Sequence, residues 1–337
     1  MSSRSEARQE RRLCCAVSEA SGEDSAGTAT PFVGYLGVEV APPWKGDITG
    51  SRCFPEGLRE AVGRAQEAGV IGKFTGLMPD SEYSRDGHTR VIYLRRPPSS
   101  FFAAYEKEEY LVPEGEVVAL VEALTTEPEM PSRFARYRED TTYVRDILVC
   151  THGSRDVCCG RFGHPIYQKL RHGYAARSGG QLRVWRTSHL GGHRFAPHLL
   201  EFPEGRYWCR LKPEALEKLV LREGPFSDLR QFYRGWAGLA SNFEQIAERE
   251  VFAREGWEWA GYLKAGEVLE VDEKEDRAEV RIEYSSPDGV FSGAYEATLE
   301  ADGSVMTLLN SGTGPSQEVR QYVVSRLEKV PPRRRGS

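Results

Sequence analysis

The stretch that most constrains this chain lies between residues 150 and 193, where thiols and imidazoles gather at the ends of short apolar runs. Asp146-Ile-Leu-Val-Cys150 reads as a short buried strand that ends on Cys150. A polar, glycine-containing loop then leads to the adjacent Cys158 and Cys159. Gln181-Leu-Arg-Val-Trp185 reads as a second strand, and His189-Leu-Gly-Gly-His193 follows it. Side chains of this chemistry at the ends of neighbouring strands call for an α/β arrangement in which those strands lie side by side.

Thiolates are soft donors that favour copper(I), zinc and iron–sulfur clusters, and imidazole suits zinc, copper and iron. Two of each can fill a tetrahedral zinc site or a [2Fe–2S] centre. Structural zinc takes cysteines two to four residues apart on a tight knuckle. Here Cys150 is separated from Cys158 or Cys159 by a longer loop, which can wrap a larger object than one ion. The histidines are four apart and would share a helix face. Gly191-Gly192 makes a poor helix interior, so a loop is expected, with close backbone approach.

A second α/β set precedes this one. Residues 31–40 and 89–94 read as strands, 101–111 as a further strand, and 57–68 and 114–124 as helices with apolar residues on one face. In the second set 165–176 is expected to be helical from a start near Pro165, 198–202 and 206–211 form a hairpin, and 213–221 is a helix. The similar order, offset from Val33 to Asp146, suggests two related lobes, the first without a ligand cluster. Beyond residue 225 a helix is expected over 242–254, antiparallel strands over 260–309, and a closing helix over 317–327. The expected domains are a mobile tail over 1–30, an N-terminal α/β lobe over 31–128, a metal-binding lobe over 143–224 and a β-rich α+β region over 240–330. Cys14-Cys15 falls in the tail and is given no role, and Cys53 and Cys209 are read as structural or free.

The segments Asp146-Ile-Leu-Val-Cys-Thr-His-Gly-Ser-Arg-Asp-Val-Cys-Cys-Gly160 and Trp185-Arg-Thr-Ser-His-Leu-Gly-Gly-His-Arg-Phe-Ala196 resemble the two signature segments of the sucrase/ferredoxin-like family. The resemblance is close over residues 145–212 and weaker through Cys14-Cys-Ala-Val-Ser18, Ala26-Gly-Thr-Ala29 and Arg234-Gly-Trp-Ala-Gly-Leu239. It implies a thioredoxin-like [2Fe–2S] ferredoxin lobe, and the repeated element order makes the lobe before it a degenerate thioredoxin-like one. It also implies Cys150, Cys159, His189 and His193 as ligands, with Cys158 as the alternative thiolate. His152, His164, His198 and Arg194 are candidates for outer hydrogen bonds. The function so implied is one-electron transfer or redox sensing with Rieske-like ligation and a redox partner protein, rather than a stand-alone enzyme. The rivals are a zinc-stabilised module on the same ligands and a thiol oxidoreductase using Cys158 and Cys159 directly. No carboxylate constellation specifies a glycosidase.

Composition narrows the partners. The net charge of −5 over 337 residues argues against broad nucleic-acid binding, which needs a basic face; Arg333-Arg334-Arg335 reads as a solvated tail. No run reaches the ~18 apolar residues of a membrane span. Seven cysteines are an odd number for a disulfide framework, and the first dozen residues lead into no apolar signal segment. The expectation is a cytoplasmic protein with reduced or metal-bound thiols.

Overall fold

The computed structural model describes residues 12–127 and 132–333. After α1 (Cys14–Ala20), the first lobe runs β1 (Gly34–Glu39), α2 (Leu58–Glu67), β2 (Lys73–Leu77), β3 (His88–Arg95), β4 (Glu106–Pro113), α3 (Val117–Thr126) and the short α4 (Ser132–Ala135). The second runs β5 (Arg145–Cys150), α5 (Val157–Gly173), β6 (Leu182–Thr187), β7 (His198–Phe202), β8 (Arg206–Cys209) and α6 (Leu216–Leu221).

The lobes share one topology. β1 pairs parallel with β2 and antiparallel with β3, which pairs antiparallel with β4. In the same way β5 pairs parallel with β6 and antiparallel with β7, which pairs antiparallel with β8. The internal relation is therefore visible in strand order, where the element order had suggested it. The lobes join edge to edge where Leu77 of β2 faces Thr187 of β6. With β9 (Tyr233–Trp236) added beyond β8, they form a nine-stranded mixed sheet in the order β4-β3-β1-β2-β6-β5-β7-β8-β9.

Strand alternation distributes the core. Leu36, Val38, Val91 and Tyr93 pack with Leu58, Leu120 and other residues of α2 and α3. Ile147 and Val149 pack with Ile166, Tyr167 and Leu170 of α5. The remaining set, Tyr35, Ile92, Leu148, Cys150, Trp185 and Leu200, forms one apolar layer drawn from both lobes. Cys150 thus sits in shared core at a strand end.

A buried ionic network also ties the lobes. Arg183 of β6 donates to Asp146 of β5 at 2.8 Å and, through both terminal nitrogens, to Glu109 of β4 at 2.8 and 2.6 Å. Lys107 bonds Asp146 and Arg90 bonds Glu109, and Trp185 Nε1 donates to Asp146 at 2.8 Å. Burial alone would raise the Asp146 pKa, but Arg183 and Lys107 hold it below the ordinary carboxylate value. Removing one member of a buried ion network leaves the others without compensation. Asp146→Asn should therefore cost about 3–5 kcal/mol in a denaturant titration; an unchanged midpoint would show that Glu109 alone satisfies both cations.

The C-terminal part contains α7 (Asn242–Glu255), α8 (Glu258–Gly261) and a separate antiparallel sheet, β10 (Leu263–Val271), β11 (Arg277–Ser285), β12 (Ser292–Thr307) and β13 (Gln317–Val330), in sequential order. Ser241 and Glu244 form a reciprocal capping box at the start of α7. Three expectations are corrected. Residues 317–327 form a strand, because the β-branched Val319, Val323 and Val324 pair along β12 from Thr307 back to Ala294. The helix expected from Pro165 begins at Val157 and carries Pro165 inside it. Residues 12–30, expected to be part of a mobile tail, include α1 with Cys14 and Ser18 fully buried; residues 1–11 lie outside the described part, as do residues 128–131 and Arg334-Arg335.

Candidate metal centre

Cys150 is the last residue of β5, and the chain turns directly from it into α5. Asp156 caps that helix by accepting the Cys158 N–H at 2.9 Å. Gly163 is required for the approach of helix to strand: a Cβ there would lie 2.0 Å from the Cys150 carbonyl oxygen. Cys158 and Cys159 accordingly occupy the first helical turn, not the loop expected for them.

Successive helical residues point about 100° apart, since a turn takes about 3.6 residues. The two cysteines therefore diverge. Cys159 turns toward Cys150, whereas Cys158 meets Cys14 and Cys15 of α1. Direct use of Cys158 with Cys159 as a redox pair does not match this arrangement.

His189 follows β6. Its N–H donates to His152 Nδ1 at 3.2 Å, while His152 Nε2 lies 2.7 Å from the Lys45 carbonyl. His152 thus braces the loop as an outer contact. Gly191 and Gly192 take φ of 95° and 74°, the left-handed region that glycine tolerates. Arg234 fastens this turn by donating to the Gly191 carbonyl at 3.1 Å. His193 then enters a single 3-10 turn, and its ring centroid lies 5.0 Å from that of His189. His198 opens β7 fully buried, 6.2 Å from the His189 ring.

Two clusters of ligand atoms result. Those of Cys150, Cys159, His189 and His198 all lie within 4.8 Å of one another, and so do those of Cys14, Asp156 and His193. His193, expected beside His189, is close to it but also reaches Asp156, with Nε2 to Oδ2 at 3.8 Å. His198, expected as an outer donor, stands among the thiols. His164 pairs with Gln168 on the surface of α5, and Arg194 pairs with Glu23 near α1. Cys209 bonds Ser25 in the core and Cys53 is exposed.

The electrostatics favour a thiolate at the strand end. Burial pushes the Cys150 thiol up, but a hydrogen bond from Cys159 and the nearby His198 and His189 bring it well below its ordinary value. The hydrogen bond to Cys150 raises Cys159 in turn. Burial lowers both His189 and His198, so both imidazoles are neutral at pH 7. Neutral imidazole and thiolate are the forms that bind metal. His189 Nδ1 and both ring nitrogens of His193 and of His198 are buried and carry no hydrogen bond. Buried polar atoms are seldom left unpaired, and those of His189 and His198 beside Cys150 and Cys159, like those of His193 beside Cys14 and Asp156, are compatible with a metal group as their partner.

A profile of the sucrase/ferredoxin-like family matches residues 26–235. Altered inheritance of mitochondria protein 32 of Meyerozyma guilliermondii is 31% identical over 98 residues, covering 27% of this chain and 34% of that protein. The protein of the same name from Debaryomyces hansenii is 29% identical over 122 residues, covering 33% and 44%. The chain thus spans less than half the length of these relatives. A solved structure, a cysteine-to-serine variant of the thioredoxin-like [2Fe–2S] ferredoxin from Aquifex aeolicus, aligns with a TM-score of 0.22 at 15% identity, covering 23% of this chain and 85% of its own. Among the described residues no helix is long and apolar enough to cross a membrane.

Proposed function

The chain belongs to the sucrase/ferredoxin-like family, and we propose that it is a [2Fe–2S] protein of one-electron transfer or redox sensing, held by Cys150, Cys159, His189 and His193. The observation that carries this reading is the grouping of Cys150 and Cys159 with His189, whose buried Nδ1 has no hydrogen-bond partner, and the His193 ring beside it. His193 is taken as the fourth ligand from the resemblance of its segment to the family's signature, its ring lying 5.0 Å from that of His189, whereas His198 is the histidine whose ligand atom groups with Cys150, Cys159 and His189. Such a group supplies a one-electron couple, and imidazole ligands raise its potential above that of an all-cysteine cluster. The chain's own part is to bury the thiols, to hold His189 through His152, and to close the glycine turn with Arg234. A redox partner protein would deliver or take the electron. The seven cysteines, none in a disulfide, suit a reducing compartment such as the cytoplasm.

One observation favours a second reading. Cys150, Cys159, His189 and His198 have the compactness of a single-ion site, as a structural zinc would need. Iron and acid-labile sulfide analysis after anaerobic, iron-replete expression separates the two. The cluster reading expects about two of each per chain, whereas stoichiometric zinc without sulfide would replace it by the zinc module. Cys158→Ser should leave most of the iron in place, since that sulfur faces α1. Loss of iron in this variant alone would move the ligand assignment from Cys159 to its neighbour.

A further inference from the structure

Arg234 of β9 is a buried cation for which the fold supplies no acid. Every other buried arginine in the described part meets a carboxylate: Arg90, Arg171, Arg183, Arg206, Arg249 and Arg281 each form an ion pair with an Asp or Glu. Arg234, at 2% exposure, donates only to neutral oxygens among the described residues. Its Nε bonds Thr28 Oγ1 at 3.0 Å, one terminal nitrogen bonds the Thr28 carbonyl, and the other bonds the Gly191 carbonyl at 3.1 Å. Its guanidinium carbon also lies 5.4 Å from the ring centres of both Phe195 and Tyr207. A charge taken out of water without a counter-charge is costly, and carbonyls and ring faces offset only part of that cost.

The glycine turn sets where this charge sits. A Cβ on Gly192 would lie 2.8 Å from a guanidinium nitrogen, so the side chain fits against the turn only because residue 192 is glycine. A second cation reaches the same turn from the first lobe. Lys73 Nζ of β2 is 3.9 Å from where a Gly191 Cβ would stand, and it forms no ion pair among the described residues. Gly191 is two residues from His189 and two from His193. Two positive charges without acids thus converge on the turn that carries the imidazoles, and the negative charge they lack belongs to the centre, which the thiolates of Cys150 and Cys159 enter.

We propose that Arg234, assisted by Lys73, is the counter-charge to the electron that the centre accepts, and that it raises the potential of the centre. This role rests on the [2Fe–2S] reading, whichever of His193 and His198 is the fourth ligand. One electron passes from the redox partner protein to the centre. The partner is oxidised, the centre is reduced and gains one unit of negative charge, and no bond or proton changes at Arg234. Arg234 stays a cation in both states, since a guanidinium is not deprotonated in proteins. Its attraction is therefore greater for the reduced state, and net charge is among the features that set a cluster's potential. At an effective dielectric of about 20 a unit charge contributes about 1.4 kcal/mol out to about 12 Å, which is about tenfold in the equilibrium constant for reduction.

The test is an anaerobic redox titration of the full chain against dyes of known potential, followed by visible absorption, in the wild type, Arg234→Gln, Arg234→Lys and Lys73→Gln. Glutamine can still donate to the Gly191 carbonyl but carries no charge, whereas lysine keeps the charge. The expected result in Arg234→Gln is a lower potential, equivalent to about a tenfold smaller equilibrium constant for reduction. Lys73→Gln should show a smaller fall, because that amine is only half-buried, and Arg234→Lys should stay close to the wild type. The Arg234→Gln difference should persist in high salt, since buried charges are screened little. Equal potentials in the wild type and Arg234→Gln overturn the proposal. So does an equal fall in Arg234→Gln and Arg234→Lys, which would mark a purely structural hold on the turn. If Arg234→Gln does not fold, Lys73→Gln decides, and an unchanged potential there overturns the proposal. Iron and sulfide are measured on the same samples. Their absence from the wild type refutes the [2Fe–2S] reading and this role with it, whereas their presence with unmoved potentials refutes this role alone.

Discussion

Cys150→Ser and Cys159→Ser should each abolish stable cluster assembly, leaving a folded, colourless protein with little iron or sulfide. Both sulfurs are buried, at 1% and 0% exposure, and both group with His189. Serine offers a hard oxygen in place of a soft thiolate, a poor match for cluster iron. The loss should exceed the roughly 10–100-fold that outer contacts to a metal are worth, because here the ligand itself is replaced. The fold should survive, since an unpaired buried hydroxyl costs about 1–3 kcal/mol and the strand ladder around residue 150 is intact. Iron and sulfide assays, visible absorption and a thermal melt check these points together. Full iron in either folded variant would remove that cysteine from the ligand set.

Local pattern made most of the two sets readable, because each has short apolar strands and a helix with one apolar face, although β2 (Lys73–Leu77) was not read as a strand. The edge-to-edge join of β2 to β6 had no local signal, as it rests on a pairing between residues 77 and 187. Cys14-Cys15 sits in a polar stretch that resembles a tail. What orders it is contact with Cys158 and Ser311, far along the chain, and no short-range pattern reports that. Adjacency concealed the divergence of Cys158 and Cys159, which only a helix starting at Val157 produces. The Asp156 cap was the available clue, and Pro165 as a start signal obscured it. His198 was legible as the first residue of a strand. Its place among the thiols depends on the pairing of β5 with β7, so the question of the fourth ligand arises only in three dimensions.

The choice between His193 and His198 has a large electrochemical consequence. His193→Cys and His189→Cys should each assemble a cluster of lower potential, because a thiolate adds negative charge that favours the oxidised state. Two-histidine clusters span about −150 to +300 mV against about −400 mV for all-cysteine plant-type ferredoxins, so a single replacement should shift the couple by on the order of 100 mV or more. The wild-type potential should also fall as pH rises through the range where a bound imidazole titrates: reduction makes the ring more basic, so electron uptake is linked to proton uptake. Each cysteine variant should lose part of that slope, since a bound thiolate has no distal proton to exchange. His198→Cys serves as the comparison. Its ring is buried beside Cys150, so a change in polarity there should move the potential only slightly if it is a neighbour and not a ligand. Voltammetry and visible spectra of the three variants decide the matter. An unchanged potential and spectrum in His193→Cys, with the shift appearing in His198→Cys, would replace His193 by His198. A shift in neither, together with an unchanged His189→Cys, would end the two-cysteine, two-histidine assignment.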